Sequence, residues 1–382
     1  MVKRIRPARH YQHPNTAVRR IADYAIPKVR RSLKTTLRAG RRLLDMEQAT
    51  RLLHQGRYTE VARLVDWGHA TEVLRATMGL LGDVWMLGGQ AGARKVNGAF
   101  AARRRVVRYR KASEATLAER AGHDAGLALR SGFTIDELSW LEKVVIEKDA
   151  ADQFDFDRFD PVTQAHIRDF QDALIRSLTA DARAVIEHTI LQGVRAGLSP
   201  DQMAVNIRSI IGLTPQQATA VIRFRQQLET MDSAALGRAL ANASDKDAIR
   251  QALAAGNGLD AAQIDDMVQN YEDNYLDYRA GMIATTEATR AASLGLQDSY
   301  RQAIDRNVMP AEAVRQYWQI SLDERTCDHC LSVVDRNPDG VPFGESFDSD
   351  DGPIDAPPFH PNCRCSLEFV TNLDLVPDDY VG

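Results

Sequence analysis

Residues 161–197 read PVTQAHIRDFQDALIRSLTADARAVIEHTILQGVRAG, and their apolar side chains recur at steps of three and four: Ile167, Phe170, Leu174, Ile175, Leu178, Ala182, Val185, Ile186, Ile190 and Val194. That period predicts one long amphipathic helix with a buried face. Gly197 closes it. Ser199-Pro200-Asp201-Gln202 then opens another helix with an N-cap hydroxyl, a proline at the first helical position and a glutamine placed for a capping box. Gly212-Leu213-Thr214-Pro215-Gln216-Gln217 repeats the same punctuation, so a short helix over about 200–211 lies between two sharp turns. Two such helices around a turn can read DNA as a helix-turn-helix. Two ordinary caps inside a helical bundle are the commoner meaning, and that reading is preferred.

Outward from this helix the same spacing continues. Leu52, Leu53, Val61, Leu64 and Val65, then Leu80, Leu81, Val84 and Trp85, follow it on one side, and residues 232–305 on the other. After Val308 the helical period fades, and Trp318-Gln319-Ile320-Ser321-Leu322 predicts a strand. The fold class expected is therefore mainly α, a multi-helix bundle with a small C-terminal α+β module, which Cys327, Cys330, Cys363 and Cys365, clustered there in pairs, mark as zinc-binding. The composition divides the chain into a basic helical N-terminal region (1–110), a connector (111–160), a helical core (161–307), the zinc-binding module (308–371) and a tail (372–382). Phe154-Asp155-Phe156-Asp157 and Phe159-Asp160-Pro161 mark the end of the connector. Residues 1–44, with scattered Pro and His among the cations, are expected to be partly unstructured until bound.

Of 382 residues, 44% are hydrophobic, 26% charged and 7% aromatic, the balance of a globular helical protein rather than a disordered one. No apolar run approaches the ~18 residues of a membrane span, and the basic start lacks the apolar stretch of a secretory signal. These features place the chain in a cytoplasm, or in a particle assembled there. The net charge of −4 conceals an asymmetry: residues 1–110 hold 24 Lys and Arg against 7 Asp and Glu, and the remainder 24 against 45. The two parts should face different partners. The acids Asp260, Asp265, Asp266, Glu272, Asp273 and Asp277 read as a solvated helix face. Arg103, Arg104, Arg105, Arg108 and Arg110 close the basic region with few aromatics and no base-reading motif. DNA contact there would be non-specific and steeply salt-dependent, the alternative partner being an acidic protein surface.

All 4 cysteines fall between 327 and 365, which in a reducing compartment points to metal rather than disulfides. Cys327-Asp328-His329-Cys330 is a C-x2-C knuckle, and His360-Pro361-Asn362-Cys363-Arg364-Cys365 supplies the second half of a tetrahedral zinc site. Five donors compete for four positions. Cys327 and Cys330 are the first pair; the second is either Cys363 with Cys365 or His360 with one of them. An extended 363–365 would turn both thiols to one side, which favours the four-cysteine set. A closed, structural zinc site is preferred over a catalytic one, which keeps a position open for water. His329 suggests nuclease chemistry, but no ordered Asp-His pair with a downstream His follows it, so it reads as solvent-facing. Asp348-Ser349-Asp350-Asp351-Gly352 is a poor calcium loop, with its Gly one place early and Phe359 where the closing Glu belongs.

Three motifs in order, Ile283-Ala284-Thr285-Thr286-Glu287-Ala288-Thr289-Arg290-Ala291 with Gly295, then Trp318 before Asp323-Glu324-Arg325-Thr326-Cys327, then Pro357-Pro358-Phe359-His360-Pro361-Asn362-Cys363-Arg364-Cys365, resemble the phage head morphogenesis family typified by the F protein of phage Mu. The resemblance spans about 160–370. It implies a structural minor head protein of a tailed double-stranded DNA phage, present in few copies inside the procapsid and the virion after assembly in the host cytoplasm. The implied partners are the portal protein and the major capsid or scaffolding proteins, with packaged DNA contacted non-specifically and no membrane. It implies no catalytic residues. Glu287, Arg290 and Trp318 are then structural motif residues. Glu287 and Arg290, three apart on a helix, would make an exposed ion pair worth ~0.2–0.5 kcal/mol, or else belong to a buried network tying this helix to the zinc module.

Overall fold

The computed structural model describes residues 17–42, 44–65, 71–120, 154–320 and 326–376. The helices are α1 (Ala17–Ala39), α2 (Met46–His54), α3 (Tyr58–Arg63), α4 (Thr71–Arg120), α5 (Pro161–Arg195), α6 (Pro200–Ile210), α7 (Pro215–Glu229), α8 (Ala243–Ala255) and α9 (Ala261–Asp305). They lead into β1 (Val314–Gln319), α10 (Asp328–Arg336), β2 (Val341–Pro342) and β3 (Ser366–Thr371). The three strands form an antiparallel sheet in the order β2-β1-β3, with Trp318 opposite Leu367 and Gln316 opposite Phe369. The fold is mainly α, with the small α+β module at the C-terminal end.

The punctuation read from the sequence is met residue by residue. Asp160 caps α5, and the reciprocal capping boxes of Ser199 with Gln202 and of Thr214 with Gln217 are both complete. α5 buries Ile167, Phe170, Leu174, Leu178, Ala182, Val185, Ile186 and Ile190. The strand before the cysteines lies earlier than expected, at 314–319, and residues 321–325 fall outside the described ones. The Phe154 to Asp160 run docks on the bundle. Asn97 exchanges two hydrogen bonds with the Phe154 backbone (2.9 and 3.0 Å), and Phe156 is buried.

α4 and α9 form the axis of the bundle and touch nearly backbone to backbone. A Cβ added at Gly88 would overlap the Ala292 carbonyl, and one added at Gly295 would overlap the carbonyl of Trp85. Ala284, Ala288, Ala291 and Ala292 continue the same small-residue face of α9, all fully buried. Beside this seam the buried Asp298 carboxylate accepts from Trp85 Nε1 (3.0 Å) and Arg301 Nε (3.3 Å) and pairs with His166 Nδ1 (2.9 Å), joining α4, α5 and α9. Arg279, 3% exposed, donates to Asp181 Oδ2 and to the Gly212 carbonyl, both at 2.5 Å, and so ties α9 to α5 and to the α6–α7 turn. Gly212 turns there with φ +96, and a Cβ would come within 2.9 Å of the Leu37 carbonyl.

Within 1–44, expected to be partly unstructured, residues 17–39 form a helix that packs on α4 and α9 through Val18, Ala22, Ala25, Val29, Leu33 and Leu37, and residues 1–16 lie outside the described ones. One expectation is corrected at its contact: the acids of α9 do not form one solvated face. Asp265 and Asp266 are exposed, but Asp277 pairs with Arg30 and Lys34, Asp273 with Arg38 (3.0 Å) and Glu272 with Arg41 (3.2 Å). Part of the basic N-terminal charge thus meets the acidic charge of the same chain.

Burial pushes the Glu272 carboxyl up to about 7, against the opposing Arg41 guanidinium. The folded state therefore holds this proton more tightly than the unfolded one, for which the ordinary value of 4.5 applies. Its stabilising share is complete below about pH 4.5 and is lost as pH rises through about 7, by on the order of 3 kcal/mol at most. Glu272→Gln should flatten the stability profile between those pH values, measured by urea denaturation at a series of pH. An unchanged slope in the variant would refute this.

Candidate metal centre

The C-x2-C knuckle is the first turn of α10. Cys327 is the N-cap, its Sγ accepting the Cys330 N–H at 3.5 Å, so the first sulfur sits where the helix dipole favours negative charge. The 360–365 segment comes from the other side, directly before β3. His360 Nε2 lies 3.1 Å from Cys327 Sγ and 3.4 Å from Cys330 Sγ, and Cys330 Sγ lies 3.7 Å from Cys363 Sγ. His360 Nδ1 is 2.9 Å from the Pro361 carbonyl, which assigns the ring proton to Nδ1 and leaves the Nε2 lone pair facing the sulfurs.

The donors form two triads that share Cys330: Cys327, Cys330 and His360, and Cys330, Cys363 and Cys365. Tetrahedral zinc, with bonds of about 2.3 Å to sulfur and about 2.0 Å to nitrogen, has edges of about 3.8 Å between sulfurs and about 3.5 Å between sulfur and nitrogen. The His360 to Cys330 and Cys330 to Cys363 separations fall close to those edges and the His360 to Cys327 one is shorter, while the two triads meet only at Cys330; the donor chemistry fits zinc. Both thiols of the second pair reach Cys330, as an extended 363–365 would have them, and His360 reaches the first pair as well. The hydrogen bond to Cys363 pushes the Cys330 thiol far up, and the same bond holds Cys363 far down. A cavity of about 450 Å³ lined by Asp23 and Ile26 of α1, Thr285 of α9 and the ligand loops opens beside the cluster.

Trp318 is buried, edge-on to Phe347 and Phe359, and the nearby Cys365 thiol is pushed up: the bond to Cys330 and the indole lower it, but Cys363 and burial together outweigh them. Glu287 and Arg290 do pair, at 3.6 Å, and burial raises the Glu287 carboxyl despite the guanidinium. The link from this helix to the cysteine module is made by a neighbour: the Asn362 N–H donates to Thr286 Oγ1 at 2.8 Å. Tyr300 stacked on Phe369 (4.6 Å) and Lys95 paired with Glu368 are further links of α9 and α4 to β3. None of these has a local signal in the sequence. His329 is exposed, bonded to Asp351 (2.7 Å) and belongs to neither triad. Asp350 serves Arg336 and Asp355 serves Ser346, and among the described residues no acidic triad gathers that could hold calcium. Arg103, Arg104, Arg105, Arg108 and Arg110 lie on α4, with side chains outside the described residues.

The described parts of the three motifs, which leave out Asp323, Glu324 and Arg325, thus converge on one corner of the fold, and the comparison with known families covers the same corner: residues 243–368 match the family model described as phage Mu protein F like protein. Over this stretch the chain is similar to that family. The Mu F-like region runs from α8 into β3 and contains Glu287, Arg290, Trp318 and all five candidate ligands, a narrower span than the 160–370 expected from the motifs. No curated protein and no solved structure matches the chain. Among the described residues no helix is long and apolar enough to cross a membrane.

Proposed function

We propose that the chain is a structural minor head protein of a tailed double-stranded DNA phage, acting in head morphogenesis inside the procapsid beside the portal. The observation that carries this reading is the Mu F-like match over 243–368, which contains every motif residue and every candidate ligand. In this reading Cys327, Cys330, His360 and Cys363 hold a structural zinc ion in place of the four-cysteine set, because His360 lies within 3.4 Å of both knuckle sulfurs, and Cys363, 3.7 Å from Cys330, is the fourth donor. Zinc there supplies folding free energy, and four protein donors leave no position for a reactive water. The chain's own contribution is to bring two distant loops onto one ion and to seat them on α9.

Co-expression with the cognate portal and major capsid proteins tests the assignment. The chain should sediment with portal rings or procapsids, and consistent absence from both would overturn it. Metal-dependent DNA cleavage lost on His360→Ala would favour a zinc enzyme instead. The arginines from 103 to 110 are proposed to contact packaged DNA or an acidic portal surface. Replacing all five by Ala should reduce the salt slope of non-specific DNA binding by roughly 4 to 5 in log–log units, as counterion release requires. An unaltered slope would remove them from the DNA contact.

A further inference from the structure

We infer that Thr286 is a positioning residue of the metal centre: its hydroxyl fixes the backbone of Asn362, and through it the loop that carries His360 and Cys363. The inference rests on the zinc reading above. Asn362 is one of three non-glycine residues described with positive φ, at +61, in the left-handed region that asparagine tolerates better than most residues and that here turns the loop sharply. What holds it is visible on both sides. The Cys363 N–H donates to the His360 carbonyl at 3.0 Å, closing a tight turn, and the Asn362 N–H within that turn donates to Thr286 Oγ1 at 2.8 Å.

The hydroxyl has its proton committed elsewhere. Thr286 is buried, and its own O–H donates to the Met282 carbonyl one helical turn back at 2.8 Å, so a lone pair is what it presents to the loop. The donor to that lone pair lies between two candidate ligands in sequence, 76 residues from Thr286 along the chain. α9 thereby sets the rotation of the 360–363 turn, which decides whether the imidazole and the Cys363 sulfur meet the knuckle at tetrahedral separations. The hydrogen bonds of Thr286 go to Met282 and Asn362, so its effect on the donors passes through the Asn362 amide.

The test uses the full chain and zinc competed against a chromophoric chelator. Wild type should bind one equivalent. Thr286→Val keeps the shape and removes the acceptor, and should weaken zinc by about 10–100-fold, the usual cost of losing an outer-shell partner. Thr286→Ser, which keeps the acceptor, should return to within about threefold of wild type. Cobalt provides a readout that mere destabilisation would not move: at saturation its visible ligand-field bands should shift in Thr286→Val and not in Thr286→Ser. A wild type that takes up no zinc would sink the zinc reading and this inference together. One equivalent bound by Thr286→Val at wild-type affinity, with an unshifted cobalt spectrum, would overturn the inference alone.

Discussion

Gly295→Val is expected to cost at least ~3 kcal/mol of folding stability, at the upper end of overpacking penalties. The reason is geometric. A Cβ at this position overlaps the Trp85 carbonyl and crowds the Gly89 amide, which are helix backbone and cannot rotate aside as a side chain would. α4 and α9 would have to separate, and with them the Trp85 to Asp298 hydrogen bond and the alanine face of α9. The partner helix supplies the control. Gly98 on α4 has nothing within 4 Å of an added Cβ, so Gly98→Ala should raise stability by about 0.5–1 kcal/mol through helix propensity and unfolded-state entropy. Urea unfolding of both variants decides the matter. A Gly295→Val midpoint within error of wild type would mean that the two helices do not approach this closely.

The second large effect is expected at Cys330, the sulfur common to both triads. Cys330→Ser should abolish zinc binding, because it leaves neither triad intact. Cys365→Ser should retain one equivalent, since it spares Cys327, Cys330, His360 and Cys363. Structural zinc contributes on the order of 10 kcal/mol to small modules at neutral pH, far more than this sheet of three short strands could replace. Loss of the metal should therefore expose residues 326–371 to protease while the bundle remains. Elemental analysis after exhaustive dialysis and limited proteolysis provide the two readouts. One equivalent of zinc retained by Cys330→Ser would exclude it as a ligand.

How much of this is legible in the sequence follows from how far each signal reaches along the chain. α5 carries large aliphatic side chains at helical spacing, and the caps of α6 and α7 are local motifs, so both can be read directly. The metal donors are legible as types and spacings. Their arrangement is not, because whether His360 meets Cys327 depends on two loops brought together by the fold. α1 is obscured by its interior Pro27 and its many cations, and because two of its buried positions, Ala22 and Ala25, add little hydrophobic amplitude. The α4–α9 seam is invisible for the same reason in stronger form. Glycine and alanine pack helices closely without any apolar periodicity to announce it. The acids of α9 read as solvated because their partners, Arg30, Lys34, Arg38 and Arg41, lie more than two hundred residues away in sequence.

Those partners make ionic strength an internal variable of the molecule. The half-exposed pairs of Arg30 and Arg38 with α9 sit within reach of dissolved ions, whereas Arg41 with Glu272 is shielded. At 1 M salt the screening length falls to about 3 Å, comparable with the pair separations themselves. Added salt would therefore loosen the outer edge of α1 before its apolar face. Any salt titration of this chain against a polyanion would combine two equilibria, release of counterions from the partner and weakening of the chain's own charge pairs. Melting curves of the free protein over the same salt range separate the second from the first.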